Sequence, residues 1–226
     1  MQTQAIRLVT VLAVGLFATW AWAQDAGQGA KSADKSDAVS SAKLGQDAPD
    51  FTLLDYSGKK FQLATLKDKI VVLEWLNQQC PFSVGNVPVM TDLRKKYAGK
   101  DIVWLGIEST FWRKPEENAQ YAKEKDLEFP ILMDTDGTVG RLYGAKVTPH
   151  VFVIAKGKLV YAGAVRSKAE GSKPEETSRN YLDETLTAVL DGKSVPVTET
   201  TPWGCSVKYK NSGDNKKEPA AGVHKQ

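Results

Sequence analysis

Ile70 to Leu76 (IVVLEWL) is a nearly continuous apolar run, interrupted only by Glu74 and bounded by polar residues. Its β-branched content and length predict a central strand buried on both faces. Pro81 to Tyr97 follows, with Val84, Val87, Met90 and Leu93 recurring at helical spacing. Pro81 suits the first turn of that helix, and Pro88 inside it predicts a kink. Ahead of the central strand, Phe51 to Leu54 and Lys60 to Gln62 flank Ser57-Gly58, a small hairpin. Behind it the pattern alternates. Ile102 to Glu108 reads as a strand, Pro115 to Lys125 as a polar surface helix, and Ile131 to Met133 as a short strand. Asp134-Thr135-Asp136-Gly137 reads as a turn and Val139 to Tyr143 as a brief helix. Val151 to Ile154 and Leu159 to Ala164 form a second hairpin about Lys156-Gly157, and Pro174 to Leu190 a closing amphipathic helix. Mixed strands with crossover helices predict a three-layer α/β sandwich: a mixed central sheet flanked by helices, with an N-terminal hairpin.

Outside that pattern the chain changes character. Arg7 followed by the apolar stretch Leu8 to Thr19 and then Ala21-Trp22-Ala23 has the form of a secretory leader cleaved after Ala23. Its apolar part spans roughly 18 Å as a helix, short of a bilayer core of about 30 Å, so a stable membrane anchor is not expected. The expectation is an exported, periplasmic protein. Residues 24–43 and 211–226 are poor in large apolar side chains and are expected to be a disordered linker and tail. Residues 44–191 then form one domain, and residues 192–210 an extension that carries Cys205.

The 30 basic and 27 acidic residues are interspersed, and a net charge of +3 gives no basic patch for nucleic acid. With His150 and His224 the only histidines, no metal-ligand cluster can be assembled. Asp134 to Gly137 lacks the remaining spacing of a calcium loop. The reading therefore calls for no metal and no cofactor. Nothing in the pattern sets an oligomeric state. Trp75, Trp104 and Trp112 read as core or rim aromatics, and His150 as a surface or satisfied residue.

Two cysteines, Cys80 and Cys205, are the remaining chemistry. Cys80 falls between the central strand and the helix opening at Pro81, where unpaired N–H groups favour a thiolate. Asn77, Gln78 and Gln79 before it suggest an exposed loop rather than a buried inert thiol. Thr148-Pro149 opens a strand after Gly144-Ala145-Lys146, a place for either a cis X-Pro bond or an ordinary trans proline.

Leu44 to Leu190 resembles the thioredoxin superfamily, in its redoxin or alkyl hydroperoxide reductase/thiol-specific antioxidant branch. The segments that carry the resemblance are LGQDAPDFTLLDYSGKKFQL, IVVLEWLNQQCPFS, LYGAKVTPHVFVI and KLVYAGAV. The resemblance makes Cys80 the nucleophile of a C-x-x-C motif and Pro88 its kink proline. It makes Thr148-Pro149 the facing cis-proline loop, with Pro81, Phe82 and Ser83 beside the substrate. Glu74 takes the place of the buried proton-relaying acid, although a strand residue there could equally face solvent. The motif departs from the family in one respect: Cys80-Pro81-Phe82-Ser83 has serine where the second cysteine belongs. A mixed disulfide at Cys80 then has no local thiol to resolve it. The peroxidase pattern fails as well. It asks for Thr or Ser three residues before its cysteine, where this chain has Asn77. In the alternative register its cysteine would be Ser83.

Gly204-Cys205-Ser206-Val207-Lys208 resembles the C-terminal G-C-x-[IV]-K signature of peroxiredoxin-like redoxins. The resemblance implies that Cys205 pairs with Cys80, either as a resolving cysteine or as a static bridge. Three functions follow. The first is a thiol–disulfide oxidoreductase acting on protein thiols and disulfides with an external thiol reductant. The second is a peroxiredoxin-like thiol peroxidase acting on peroxide. The third is a redoxin-fold peptide-binding module without turnover.

Overall fold

A computed structural model describes residues 41–168 and 179–210 of the chain. The leader, most of the linker and the C-terminal tail lie outside the described residues. Ala42, at the end of the stretch read as linker, donates its backbone N–H to the Leu142 carbonyl at 3.0 Å.

The N-terminal hairpin is β1 (Thr52–Leu54) and β2 (Lys60–Gln62), paired antiparallel and followed by a 3-10 turn at Leu63–Leu66. The main sheet uses β3 (Ile70–Trp75), β4 (Ile102–Glu108), β5 (Ile131–Met133), β7 (His150–Ala155) and β8 (Lys158–Gly163). Its order is β5-β4-β3-β7-β8. β3 runs parallel to β4, and β4 to β5, while β7 is antiparallel to both β3 and β8. A separate two-stranded ladder joins β6 (Val147–Thr148) to β9 (Cys205–Ser206). The helices are α1 (Pro81–Lys96), α2 (Pro115–Glu124), α3 (Thr138–Tyr143) and α4 (Tyr181–Leu190). This is the expected mixed α/β sandwich with a thioredoxin-like sheet.

Alternation along β3 explains the layers. Val71, Leu73 and Trp75 point to one face, where they pack with Leu105, Ile107, Phe152 and the α3 residues Val139 and Tyr143. Val72 points to the other, against Met90 and Leu93 of α1 and Leu182 and Leu186 of α4. Both faces are dry, which is why the run is apolar nearly throughout. Tyr121 of α2 joins Leu76, Phe129 and Ile131 in a third cluster beside the end of β3. The turn between β7 and β8 places Lys156 and Gly157 at φ 51° and 73°, the twist a two-residue hairpin loop needs.

One predicted element differs from the sequence expectation. The closing helix starts at Tyr181, not Pro174: Asn180 accepts a hydrogen bond from the Asp183 N–H at 3.0 Å and caps it. Arg179 and Asn180 precede the helix, and residues 174–178 lie outside the described residues. The turn at Asp134 is a capping device. Its carboxylate accepts from the Val139 and Gly140 N–H groups at 2.9 Å each and from Ser109 Oγ. Among the described residues, no helix is long and apolar enough to cross a membrane.

Candidate active site

β3 and β4 are parallel, so their C-terminal ends meet at one edge of the sheet, and the chain after β3 turns there into α1. Cys80 is the N-cap residue of α1, with Pro81 at the first helical position. The sequence placed it in an exposed loop. Its side chain is instead buried, at 2% exposure. The reason is the C-terminal extension, which returns over the cysteine and sets β9 antiparallel to β6 with Thr148 opposite Cys205.

Polar contacts fix the approach to Cys80. Asn77 is buried; its backbone N–H donates to Ser83 Oγ at 3.1 Å and its Nδ2 to Thr110 Oγ1 at 2.9 Å. Asn77 Oδ1 accepts from the Gln79 N–H at 2.7 Å, and the Cys80 N–H donates to the Asn77 carbonyl at 3.0 Å. Ser83 is therefore a buried loop brace at the position of the absent second cysteine. With its amide oxygen facing the guanidinium, Gln78 accepts from Nε and Nη1 of Arg113 at 3.1 Å. Arg113 is itself buried beside Glu108 (3.7 Å) and Glu117 (3.2 Å). The sequence reading missed Thr110, Glu108 and Arg113. The available signal was their place just at and after the end of β4, which runs parallel to its neighbour β3, at the strand ends where sites collect.

The Thr148-Pro149 bond is cis. Thr148 is buried, and its carbonyl accepts from Cys80 Sγ at 3.1 Å. Burial pushes the Cys80 thiol up. Hydrogen bonds from the Cys205 thiol, the Thr148 side chain and the Ser83 and Cys205 backbone outweigh it, leaving the pKa below its ordinary value. Cys205 shows the reverse. Burial, then its hydrogen bond to Cys80 and the charge there, push it up to about 11. Of the pair, Cys80 is the more acidic thiol and Cys205 the less acidic one. Both are free thiols.

Glu74 faces inward. It is 5% exposed, accepts from Asn86 Nδ2 at 3.0 Å, and desolvation raises its pKa to about 7. Glu74 and Ser83 both line a small cavity of about 10 Å³, together with Tyr121 and Phe129. Asn86 and Tyr121 were not anticipated; both sit on helices at positions that face β3. Phe82 is 49% exposed, and its ring meets Trp203 edge-to-face at 5.7 Å. His150 is buried against Phe152 and its Nδ1 accepts from the Lys146 N–H at 3.4 Å. Burial and the Lys146 charge lower its pKa to about 4, so it is a neutral, satisfied residue. Trp75 is fully buried, with Nε1 donating to Ser109 Oγ at 3.0 Å. Among the described residues there is no cluster of three or more His, Cys, Asp or Glu able to hold a metal ion.

Relatives carry the same scaffold. Over 140 residues the chain is 29% identical to the thiol-disulfide oxidoreductase ResA of Bacillus thuringiensis, covering 62% of this chain and 77% of that one. The solved structure of an uncharacterized conserved protein from Geobacillus kaustophilus superposes with a TM-score of 0.65 at 27% identity, covering 75% of this chain and 94% of that one. A hypothetical protein from Sinorhizobium meliloti 1021 gives a TM-score of 0.64 at 28% identity, covering 75% and 96%. The AhpC/TSA family profile matches residues 44–162, from before the hairpin through β7 and nearly all of β8. More than half of its length thus matches, and the chain belongs to the AhpC/TSA family.

Proposed function

We propose that this thioredoxin-like oxidoreductase exchanges thiols and disulfides through Cys80, with Cys205 as its resolving cysteine. The observation that carries the reading is the hydrogen-bonded pair itself: a low-pKa thiol at the start of α1 and a protonated thiol laid against it by β9.

The chemistry follows from the charges. The Cys80 thiolate attacks one sulfur of a substrate disulfide. A Cys80–substrate disulfide forms, and the other substrate sulfur leaves as a thiolate that takes up a proton. Cys80 then carries no charge and accepts no hydrogen bond. Two of the three effects that raise the Cys205 pKa disappear with it, leaving burial, so Cys205 gives up its proton more readily when its thiolate is needed. That thiolate attacks the Cys80 sulfur and expels the remaining substrate thiolate. The Cys80–Cys205 disulfide is left, to be reduced by an external thiol. Glu74, poised near neutrality, is the proton store for these steps.

The resolving step needs Cys205 because Ser83 cannot supply it. Peroxide turnover is the poorer reading. Asn77, in the position where the peroxidase pattern has a hydroxyl, spends its amide on Thr110 and Gln79. The leader pattern at residues 1–23 supports export to an oxidising compartment, where such a pair cycles.

Trapping tests the assignment. Cys205→Ser should accumulate a Cys80 mixed disulfide with a model protein disulfide, while wild type releases it. Equal release from both proteins contradicts the resolving role. Peroxide consumption exceeding disulfide exchange moves the protein to the peroxidase class.

A further inference from the structure

Residues 198–210 form a strap fastened on both sides of Cys80. On one side the Thr200 N–H donates to the Ala162 carbonyl at 3.1 Å, and Thr200 Oγ1 accepts from the Ala164 N–H at 2.9 Å. On the other, the Val207 N–H donates to the Lys146 carbonyl at 3.1 Å and Tyr209 OH to the Ala145 carbonyl at 2.8 Å. Between these anchors, Trp203 to Ser206 crosses the nucleophile, bending at Gly204 and extended as β9 over Cys205 and Ser206. Cys205 pairs with Thr148 and Ser206 with Val147, the ladder an added peptide strand would make.

Each central residue meets a definite feature. Trp203 Nε1 donates to the Arg166 carbonyl at 3.1 Å, while its ring lies edge-on to the half-exposed ring of Phe82. Gly204 has φ 147°, and a Cβ there would drive into the carbonyl oxygen and carbon of Thr148. Cys205 presents its thiol to Cys80. Phe82 is a large apolar side chain kept at the surface beside the nucleophile, and its aromatic partner is one the strap supplies. An aromatic side chain, then no side chain, then a thiol is what this groove holds.

We propose that the groove beside Cys80 is selective for extended protein segments of the form aromatic–Gly–Cys, and that Trp203-Gly204-Cys205 occupies it as a substrate surrogate. The inference rests on Cys80 being the nucleophile of the exchange reaction. Phe82 and the Arg166 carbonyl form the aromatic subsite, and the Thr148 carbonyl enforces glycine. An external segment enters by exchanging places with the strap. A small disulfide has no strand to exchange and is not sorted by these contacts.

The test uses the full chain carrying Cys205→Ser, reduced, so that resolution plays no part. The probe is the peptide Thr-Pro-Trp-Gly-Cys-Ser-Val-Lys with its cysteine activated as a thionitrobenzoate disulfide. Cys80 attacks the peptide sulfur, the Cys80–peptide disulfide forms, and thionitrobenzoate leaves as a measurable chromophore. Alanine in place of the peptide's tryptophan, or of its glycine, should each slow the reaction by about tenfold. Phe82→Ala in the protein should remove the penalty for the missing tryptophan and leave the glycine penalty in place. The strap variant Gly204→Ala, added to Cys205→Ser, should speed all three peptides while keeping their order. Equal rates for the three peptides overturn the proposal. So does a tryptophan penalty that survives Phe82→Ala. No thionitrobenzoate release from any peptide, with Cys80 confirmed reduced, removes the nucleophile assignment itself. A bridge missing between Cys80 and Cys205 in wild type would instead remove only the resolving role.

Discussion

The hydrogen bond from Cys205 is the largest of the effects that make Cys80 the more acidic thiol, and side-chain replacements at position 205 test it. Cys205→Ala removes a hydrogen-bond donor from the thiolate, whereas Cys205→Ser keeps one. The pH profile of Cys80 alkylation should therefore move upward in the alanine variant and much less in the serine variant. Equal profiles would mean that position 205 does not stabilise the thiolate. Glu74 makes a second prediction at this scale. Its folded pKa of about 7 lies above the ordinary 4.5, so the folded state holds an extra proton between those values. Stability must then fall as pH rises through that window, by on the order of 3 kcal/mol from this group alone. Glu74→Gln should flatten that part of the pH–stability curve, as read by denaturant titration, and should slow exchange near neutrality. A curve that keeps its wild-type slope would place the ionisation elsewhere. The inward direction of Glu74 could not be read from its own strand, because period-2 alternation assigns relative faces only. It is settled by α1, which offers Asn86 as a partner.

Among the elements, the strap is the one most open to test. Gly163 at the end of β8 lets Thr200 approach so closely that a Cβ would overlap its backbone N and O. Gly163→Ala should thus loosen the strap at its root and cost about 1–3 kcal/mol. Hydrogen exchange should show faster amides at Thr200 and Val207, with the amides of β3 and β4 unchanged. Protection lost throughout the sheet would show that the strap is not a separable element. β3 and α1 were legible because each declares itself locally, by a seven-residue run apolar but for Glu74 and by a proline at a helix start. β9 was not. It is two residues long, carries no period, and its partner Thr148 lies 57 residues earlier. Only the resemblance of its Gly-Cys sequence to a known signature pointed there. The start of α4 was misjudged for a related reason: Pro174 is a permissible first residue, while the cap that operates is Asn180. Arg113 and Glu108 carry no local signal of a role, since burial of an ion pair depends on neighbours brought in from β4, α2 and the Cys80 loop.

For the molecule as a whole, the fold places a cysteine beyond the C-terminal end of the central strand of a mixed sheet and then covers it with its own C-terminal segment. A Cys80–Cys205 bridge would close a loop of about 125 residues, which on a chain-entropy basis stabilises by about 4–5 kcal/mol. Oxidised protein should accordingly unfold at higher denaturant than reduced protein. The central claim, that these two cysteines form one redox pair, is tested most directly by mass-spectrometric peptide mapping of wild-type protein after mild oxidation in dilute solution. The account predicts a single intramolecular Cys80–Cys205 disulfide, reversed by a thiol reductant. Recovery of both cysteines as separately alkylated thiols, or of Cys80 bridged only between chains, would contradict it.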